Sequence, residues 1–409
     1  MTEKLWTKNF TIITVGTIIS MLGNAIAGFG LAVLILELTD SSFAFALFLT
    51  LYNLPKLIVP MIAGTFLDRF SRVKVVYSLD FITAFVFLFI YIGLTKEFLN
   101  FTSFLILAML LGSIDSIYSV AYDSLYPNYI TKGNFSKAYS ISSMIYPLAA
   151  FMTPVASFVY ETIGLEVLFM FNAIAFLIAS FFEMMLDKDE SHISDEVKIF
   201  RFKDFKEDSK KGVAYIFNEK GLLTITLYFF LNSLFQMSAT QTLEMPFFKS
   251  QPSLGYTLFT FVSTSNVLGR FIGGMIHYKF SFNHHKKFKI AMIVYIIICF
   301  TNGFMLYMPF ELMLVLSFIT GILSVTSFNI RISSTQAYVP DKVRGRFNGT
   351  FQMMSTTGII LGQLLWGALG EVYPAPRLIL IGNMITLVLT FLVVYKRKES
   401  VKPIYNSNF

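Results

Sequence analysis

Cysteine is nearly missing from this chain. Cys299 stands alone among 409 residues, so a disulfide framework and a cysteine-based zinc or iron–sulfur site are excluded. Histidine is scarce as well, and His192, His277, His284 and His285 form no HExxH pair. No GxxxxGK[ST] loop is present, so ATP is not expected to drive the chain directly. No catalytic constellation stands out, and neither an enzyme activity, a cofactor nor a metal is expected. The shortage that decides most is charge. Asp, Glu, Lys and Arg make up 14% of the residues, against about 25% in a soluble domain. Hydrophobic residues reach 55% and the mean hydropathy is +0.65. In water, a chain of this length would form two or three domains, but so few charges could not cover their surface. Disorder is excluded too, because disordered chains are charge-rich and poor in apolar residues. A bilayer removes the need for a charged exterior.

What is present is long apolar runs. A spanning helix needs about 20 such residues, and twelve segments qualify by eye: 10–36, 43–67, 75–95, 101–125, 137–160, 164–186, 221–247, 255–278, 289–308, 311–335, 350–370 and 377–395. They must be helices, since backbone groups in lipid have to bond within their own segment. The first is too long for a signal-peptide core and reads as retained. Pro55, Pro60, Pro147 and Pro154 fall inside expected helices, where a bundle can re-satisfy the freed carbonyls. Twenty-six Lys and Arg fall on the side of the N-terminus, the 68–74 loop and the 187–220 loop, whereas Lys96, Lys249 and Arg377 fall on the other. The positive-inside rule then puts both termini in the cytoplasm.

The expected architecture is an all-α membrane protein with 12 transmembrane helices. Residues 1–186 form one six-helix bundle, 187–220 a cytoplasmic linker, 221–395 a second bundle and 396–409 a cytoplasmic tail. The linker mixes 8 basic with 9 acidic residues. Its Phe202, Phe205, Val213, Ile216 and Phe217 share a helical face, which predicts an amphipathic helix along the membrane surface. The bundles read as distant repeats, with Glu37 near the counterpart of Glu244 and Asp123 near that of Arg331. Two six-helix repeats around a mid-membrane site is a transporter plan.

The most specific motif follows span 2: Gly64-Thr65-Phe66-Leu67-Asp68-Arg69-Phe70-Ser71-Arg72-Val73-Lys74. It resembles the signature of the major facilitator superfamily between its second and third helices, with Ser71 and Val73 departing from the commonest form. Leu54-Pro55, Pro60, Leu79-Asp80, Leu38-Thr39-Asp40-Ser41 and Val339-Pro340-Asp341-Lys342-Val343-Arg344-Gly345-Arg346 resemble the drug-exporter branch related to macrolide efflux proteins. The resemblance covers nearly the whole chain. It implies the major facilitator fold and a gating motif of Gly64, Asp68, Arg69, Arg72 and Asp123, in which Asp68, Arg72 and Asp123 form a charge relay. It also implies efflux by proton antiport. The glycine-proline motif of span 5 is reduced here to Thr153-Pro154-Val155-Ala156, a departure at the segment associated with antiport. The second half keeps Gly273, Gly274 and His277 of the loop signature without its Asp-Arg.

Charge inside a membrane is costly and marks a site. Asp115 sits near the middle of span 4 and Lys56 near the middle of span 2. They read equally as a static ion pair or as a proton-coupling pair. Glu37 and Glu244, near the outer ends of spans 1 and 7, are further coupling candidates or solvated rim residues. Polar stripes at helical spacing supply cavity-lining candidates: Ser20, Asn24, Ser119, Tyr122, Asn232, Gln236, Thr240, Thr320, Ser324 and Arg331. Such stripes line an aqueous cavity or glue helices together. The reading is a secondary active transporter in the bacterial plasma membrane, a monomer whose partners are a small amphiphilic substrate, protons and lipid, with no nucleic acid. Another cargo, or a receptor or immunity protein on the same scaffold, remains the alternative.

Overall fold

The computed structural model describes residues 4–67, 70–131, 134–187, 213–251, 254–279 and 283–407. Among these every regular element is helical. In chain order the helices are α1 Lys8–Thr39, α2 Ser42–Asn53, α3 Val59–Leu67, α4 Arg72–Thr95, α5 Phe101–Leu125, α6 Phe135–Ala150, α7 Met152–Thr162 and α8 Leu165–Met184. There follow α9 Lys220–Asn232, α10 Ser238–Ser250, α11 Gly255–Lys279, α12 Lys287–Met305, α13 Phe310–Tyr338, α14 Asp341–Gly370, α15 Ala375–Leu389 and α16 Lys398–Tyr405.

Local chemistry sets their ends. Thr7 Oγ1 accepts the Phe10 amide at 3.2 Å to open α1, and Asn100 Oδ1 accepts the Ser103 amide at 3.0 Å to open α5. Both are side-chain N-caps. Asp40 closes α1 at φ 49°, with its amide on the Leu36 carbonyl. Aspartate is among the few non-glycine residues that tolerate this left-handed turn.

Nine helical stretches among the described residues are long and apolar enough to cross a bilayer. Of the twelve expected spans, segments 43–67, 137–160 and 255–278 are not among these nine. The first two are helical but interrupted. A 3-10 turn at Leu54–Leu57 separates α2 from α3 at Pro55, and α6 gives way to α7 at Phe151, between Pro147 and Pro154. Proline removes an amide donor and crowds the preceding turn. The third segment, α11, is 25 residues long but carries Asn266, Arg270 and His277.

The chain divides into two compact units, Met1–Asp40 with Leu51–Phe200, and Ser41–Thr50 with Arg201–Phe409. In the first, α8 packs on α1 and α4, and α3 packs on α5. In the second, α12 and α10 pack on α15, and α11 packs on α13. Spans 1, 3 and 6 thus find their echo in spans 7, 9 and 12, and spans 2 and 4 in 8 and 10. Phe10, Ile13, Leu67, Val76 and Tyr126 fill the core of the first unit. Leu243, Phe248, Met305 and Trp366 fill one core of the second. Outside, Phe85, Ile106, Phe158 and Phe181 are more than half exposed. Water penalises so large an apolar surface, whereas lipid accepts it.

Two expectations, at the linker and at the C-terminal segment, meet the structure here. Of the linker, only 187 and 213–220 lie within the described residues, so the expected helix face at Phe202 and Phe205 falls outside them. Ile216 is buried in the second unit's core and Phe217 is exposed. The segment expected to be a free tail is a docked helix. Val401, Ile404 and Tyr405 of α16 are at most 1% exposed, the Tyr405 hydroxyl pairs with that of Tyr295 at 2.8 Å, and Ser334 Oγ donates to the Tyr405 carbonyl at 2.7 Å. Asn406 Oδ1 then accepts the Phe288 amide at 3.1 Å in the first turn of α12. Burial holds the Tyr405 phenol well above its ordinary pKa, so it remains a neutral hydrogen-bonding group.

Candidate functional site

The break in span 2 places the first site. Pro55 opens the 3-10 turn that carries Lys56. Gly112 on α5 lets the Tyr52 carbonyl approach so closely that a methyl group there would lie well inside 3.0 Å of it. Small residues at such crossings are how membrane helices come together. The close approach brings Lys56 Nζ to 2.9 Å from Asp115 Oδ2, with the two side chains 33% and 42% exposed. Tyr52 ties both: its hydroxyl donates to Asp115 at 3.3 Å, and the Lys56 ammonium lies 4.4 Å from its ring centroid. The expected pair therefore meets, as a half-open cluster rather than a sealed one. Of the other coupling candidates, Glu37 is exposed and Glu244 half-buried.

Of the loop signature, Asp68 and Arg69 lie outside the described residues, and Gly64 closes toward the end of α3. Ser71 Oγ accepts the Lys74 amide at 3.4 Å and opens α4. Arg72 Nη1 donates to the Ser124 carbonyl at 3.2 Å, beside the exposed Asp123. The arginine is thus docked on the C-terminal end of α5, the helix that carries Asp123. Nearby, Lys8 Nζ reaches Asp187 at 3.3 Å. Hydrogen bonding from Asn9, then from Lys8 with its charge, holds the exposed Asp187 carboxyl below its usual range.

The polar stripes divide. Ser20, Gln236 and Thr320, expected on a cavity wall, are turned instead into helix packing at 2%, 7% and 3% exposure. Ser20 Oγ donates to Asp80 at 2.6 Å, Gln236 Nε2 to Asn383 at 2.7 Å, and Thr320 Oγ1 to Thr301 at 2.7 Å. Each satisfies a buried polar atom across a helix interface, which is the glue role. Asn24 and Ser119 are exposed, while Tyr122, Asn232, Thr240, Ser324 and Arg331 are half-buried. Tyr122 stacks between Tyr118 at 6.1 Å and Tyr126 at 5.3 Å. Arg331 lies over the rings of Phe351, Phe229 and Phe328 at 4.5, 5.2 and 5.3 Å. These contacts suit a guanidinium whose faces are apolar and whose edges are free to donate.

Sequence reasoning missed several groups. Asp80 and Glu183 are 2% and 0% exposed inside membrane-crossing helices. Tyr118 donates to Glu183 Oε1 at 3.1 Å. Leu79-Asp80 was visible as a motif, but its carboxylate was not weighed as a membrane charge, and Glu183 was hidden by its place near the end of an apolar run. In the second unit, Glu371 Oε1 accepts both the Ser41 hydroxyl and the Phe43 amide at 2.8 Å, capping the first turn of α2. Among the described residues no group of three His, Cys, Asp or Glu could hold a metal ion.

Apolar helices in two internally similar bundles, with a few charges held inside them, define a multi-pass membrane transporter. Residues 13–362 match the Major Facilitator Superfamily, and the chain belongs to that family, whose members are transporters and not enzymes. It is similar to the Uncharacterized MFS-type transporter YkuC of Bacillus subtilis (strain 168), with 22% identity over 230 residues. That match covers 55% of this chain and 53% of the relative, so it spans about half the length of each. The crystal structure of nucleoside transporter NupG superposes with a TM-score of 0.72 at 14% identity, covering 95% of this chain and 98% of that one. A bacterial homologue of iron transporter ferroportin in the inward-facing state gives 0.70 at 14% identity, covering 99% and 100%. At these identities the two structures share the fold.

Proposed function

We propose that this protein is a secondary active transporter that exports small amphiphilic compounds, macrolide-like drugs among them, in exchange for protons by alternating access. On this reading it is a monomer of twelve spans in the bacterial plasma membrane, with both termini cytoplasmic. The relay of Asp68, Arg72 and Asp123 gates the cytoplasmic side. The observation that carries the reading is the Lys56–Asp115 pair, 2.9 Å apart in membrane helices yet a third or more exposed. Sealing an ion pair away strips both charges of their hydration, and this pair keeps part of its access to water. A pair left accessible can change partners, so that protonation of the carboxylate or arrival of a substrate cation releases the lysine.

The experiment is accumulation of a radiolabelled macrolide by an efflux-deficient bacterial host, with and without an uncoupler. Expression of the chain lowers accumulation at least tenfold and the uncoupler restores it. Accumulation equal to that of the empty vector rejects the drug-export reading. A second cargo class, nucleosides, is favoured by the overlap with NupG along nearly the whole chain, and labelled nucleosides form the parallel arm of the same assay.

A further inference from the structure

The first unit contains a pair of membrane carboxyls that the Lys56–Asp115 chemistry does not use. Glu183 on α8 is 0% exposed and Asp80 on α4 is 2% exposed. Both lie against α1. Asp80 accepts from Ser20 Oγ at 2.6 Å. Glu183 fills the space left by Gly16, where a Cβ would come within 3.1 Å of its Cγ. Ser20 and Gly16 are four residues apart, about 6 Å along a helix rising 1.5 Å per residue. The two carboxyls therefore face α1 about one helical turn apart, and a charge on one opposes a charge on the other. Ser180, one turn before Glu183, donates to the Tyr77 carbonyl at 2.9 Å, and Tyr77 lies one turn before Asp80. That bond fixes α8 on α4 beside the pair.

The ion pairs Lys8–Asp187 and Lys56–Asp115 involve neither of these two carboxyls. The α5 groups facing them are phenols: Tyr118, which donates to Glu183 Oε1 at 3.1 Å, and Tyr122, stacked on it. On α1 the residues in contact are Ser20 and Gly16, and α4 also carries Tyr77, one turn before Asp80, and Tyr91, three turns after it. Of the packed neighbours α6 and α7, Lys137, Tyr139 and Glu161 are exposed, and the Tyr160 ring meets Phe29 edge-on. The basic residues nearest in sequence are engaged or exposed elsewhere, with Lys8 on Asp187, Arg72 on Ser124 and Lys74 at the surface. The second carboxyl oxygen, Glu183 Oε2, is fully buried without a hydrogen-bond partner. As a carboxylate Glu183 would carry buried charge with the Tyr118 hydroxyl as its hydrogen-bond donor and none at Oε2, beside a second carboxyl and in a low dielectric. A proton on that oxygen removes the conflict.

We propose that Glu183, with Asp80 as its electrostatic partner, is a proton-binding site of this transporter, separate from Asp115 and placed in the packing of α1, α4, α5 and α8. The step is an ionisation. The O–H bond at Glu183 breaks, the electron pair stays on the carboxylate, and the proton leaves for water when the helices around Gly16 and Tyr118 loosen. The inference rests on the proton-coupled reading above, but its test needs no cargo.

The test is infrared difference spectroscopy of the full chain in lipid nanodiscs, titrated between about pH 5 and pH 10. The wild type is expected to show a protonated-carboxyl C=O band at neutral pH that is lost as the pH rises. Glu183→Gln removes that band, Asp80→Asn moves its midpoint to lower pH by removing a like charge, and Asp115→Asn leaves it in place. Absence of the band in wild type at neutral pH overturns the proposal. So does a band that never titrates, which marks a permanently protonated structural carboxyl, or one that survives Glu183→Gln. If a variant fails to fold, the wild-type titration alone decides. A wild type that exports no macrolide but shows the titrating band would reject the cargo and leave the proton site standing.

Discussion

The crossing of α11 and α13 in the second unit rests on two glycines that face each other's backbones. A Cβ built on Gly321 of α13 would run into the Asn266 carbonyl oxygen of α11, and one on Gly269 of α11 into the Phe318 carbonyl oxygen of α13. Both contacts fall far inside the 3.0 Å that real Cβ atoms keep, and the obstacle is backbone, which has no rotamer to turn away. Gly321→Ala therefore forces the helices apart by about 1 Å. Overpacking of this kind costs about 1–3 kcal/mol, and the rigid obstacle puts this site at the upper end. Alanine returns up to about 1 kcal/mol of helix propensity, which leaves a net loss near 2 kcal/mol. For a unit of roughly 200 residues that lowers the melting temperature by about 4–8 °C. The assay is thermal unfolding of the purified protein in detergent. Gly274→Ala on α11 is the internal control, because nothing lies within 4 Å of its Cβ position, and it should match or slightly exceed wild type. The reasoning fails if Gly321→Ala melts with wild type, or if Gly274→Ala falls as far. The same helix carries Ser324 and Arg331, so Gly321→Ala should also depress transport in proportion to the displacement.

Lys56→Met leaves Asp115 with only the Tyr52 hydroxyl, and its partial exposure sets the loss between a surface pair and a sealed one, about 1–3 kcal/mol. Lys56→Met with Asp115→Asn should recover most of that in a melting experiment but not macrolide export, and full uncoupler-sensitive export by the double variant would make the pair structural. Deletion of residues 398–409 uncovers the seat of Val401, Ile404 and Tyr405 and should cost several kcal/mol, each large side chain contributing about 1.5–3. Tyr405→Phe alone removes one hydroxyl bond, about 1 kcal/mol, and unchanged melting of the deletion variant would show the docked helix to be dispensable. After replacement of Cys299, a cysteine at Glu97 should label from outside the cell and one at Asn283 only after permeabilisation, and the reverse pattern would invert the topology.

Much of this fold was legible because lipid simplifies the code. Apolar run length predicts helices wherever the backbone has no water to bond, and the runs at Lys8–Thr39 or Phe101–Leu125 allow no other reading. Pro55 was visible inside span 2, but it read as tolerated within one helix, and neither the break nor its placing of Lys56 on Asp115 was read. Helix α16 was readable from Val401, Ile404 and Tyr405 at i, i+3 and i+4, but its placement after the last apolar run disguised it as a tail. What could not be read was which neighbour each polar face meets. Asp115 and Asp80 are both single carboxylates in apolar helices, and only tertiary packing separates the half-open one with a lysine from the sealed one with a serine.

That separation bears on how a transporter can divide its work. A polar side chain within a membrane helix is either satisfied across a helix contact or left facing accessible space, and the two outcomes have different consequences. Ser20, Gln236 and Thr320 are satisfied, so their loss should loosen the bundle without altering what is carried. Arg331, cupped by three phenyl rings, and Lys56 with Asp115 keep donor or acceptor capacity at the accessible surface of their own units, where a solute or proton can compete for it. Glu183 belongs to neither group. It is sealed like the first, but only one of its two carboxyl oxygens has a hydrogen-bond donor. A group in that position is stable only when neutral, and so its charge state is set by whether the surrounding helices stay closed. Substitutions should sort along this line: conservative changes at the satisfied residues move stability, changes at the half-open ones move substrate handling, and a change at Glu183 moves the coupling of proton binding to helix motion.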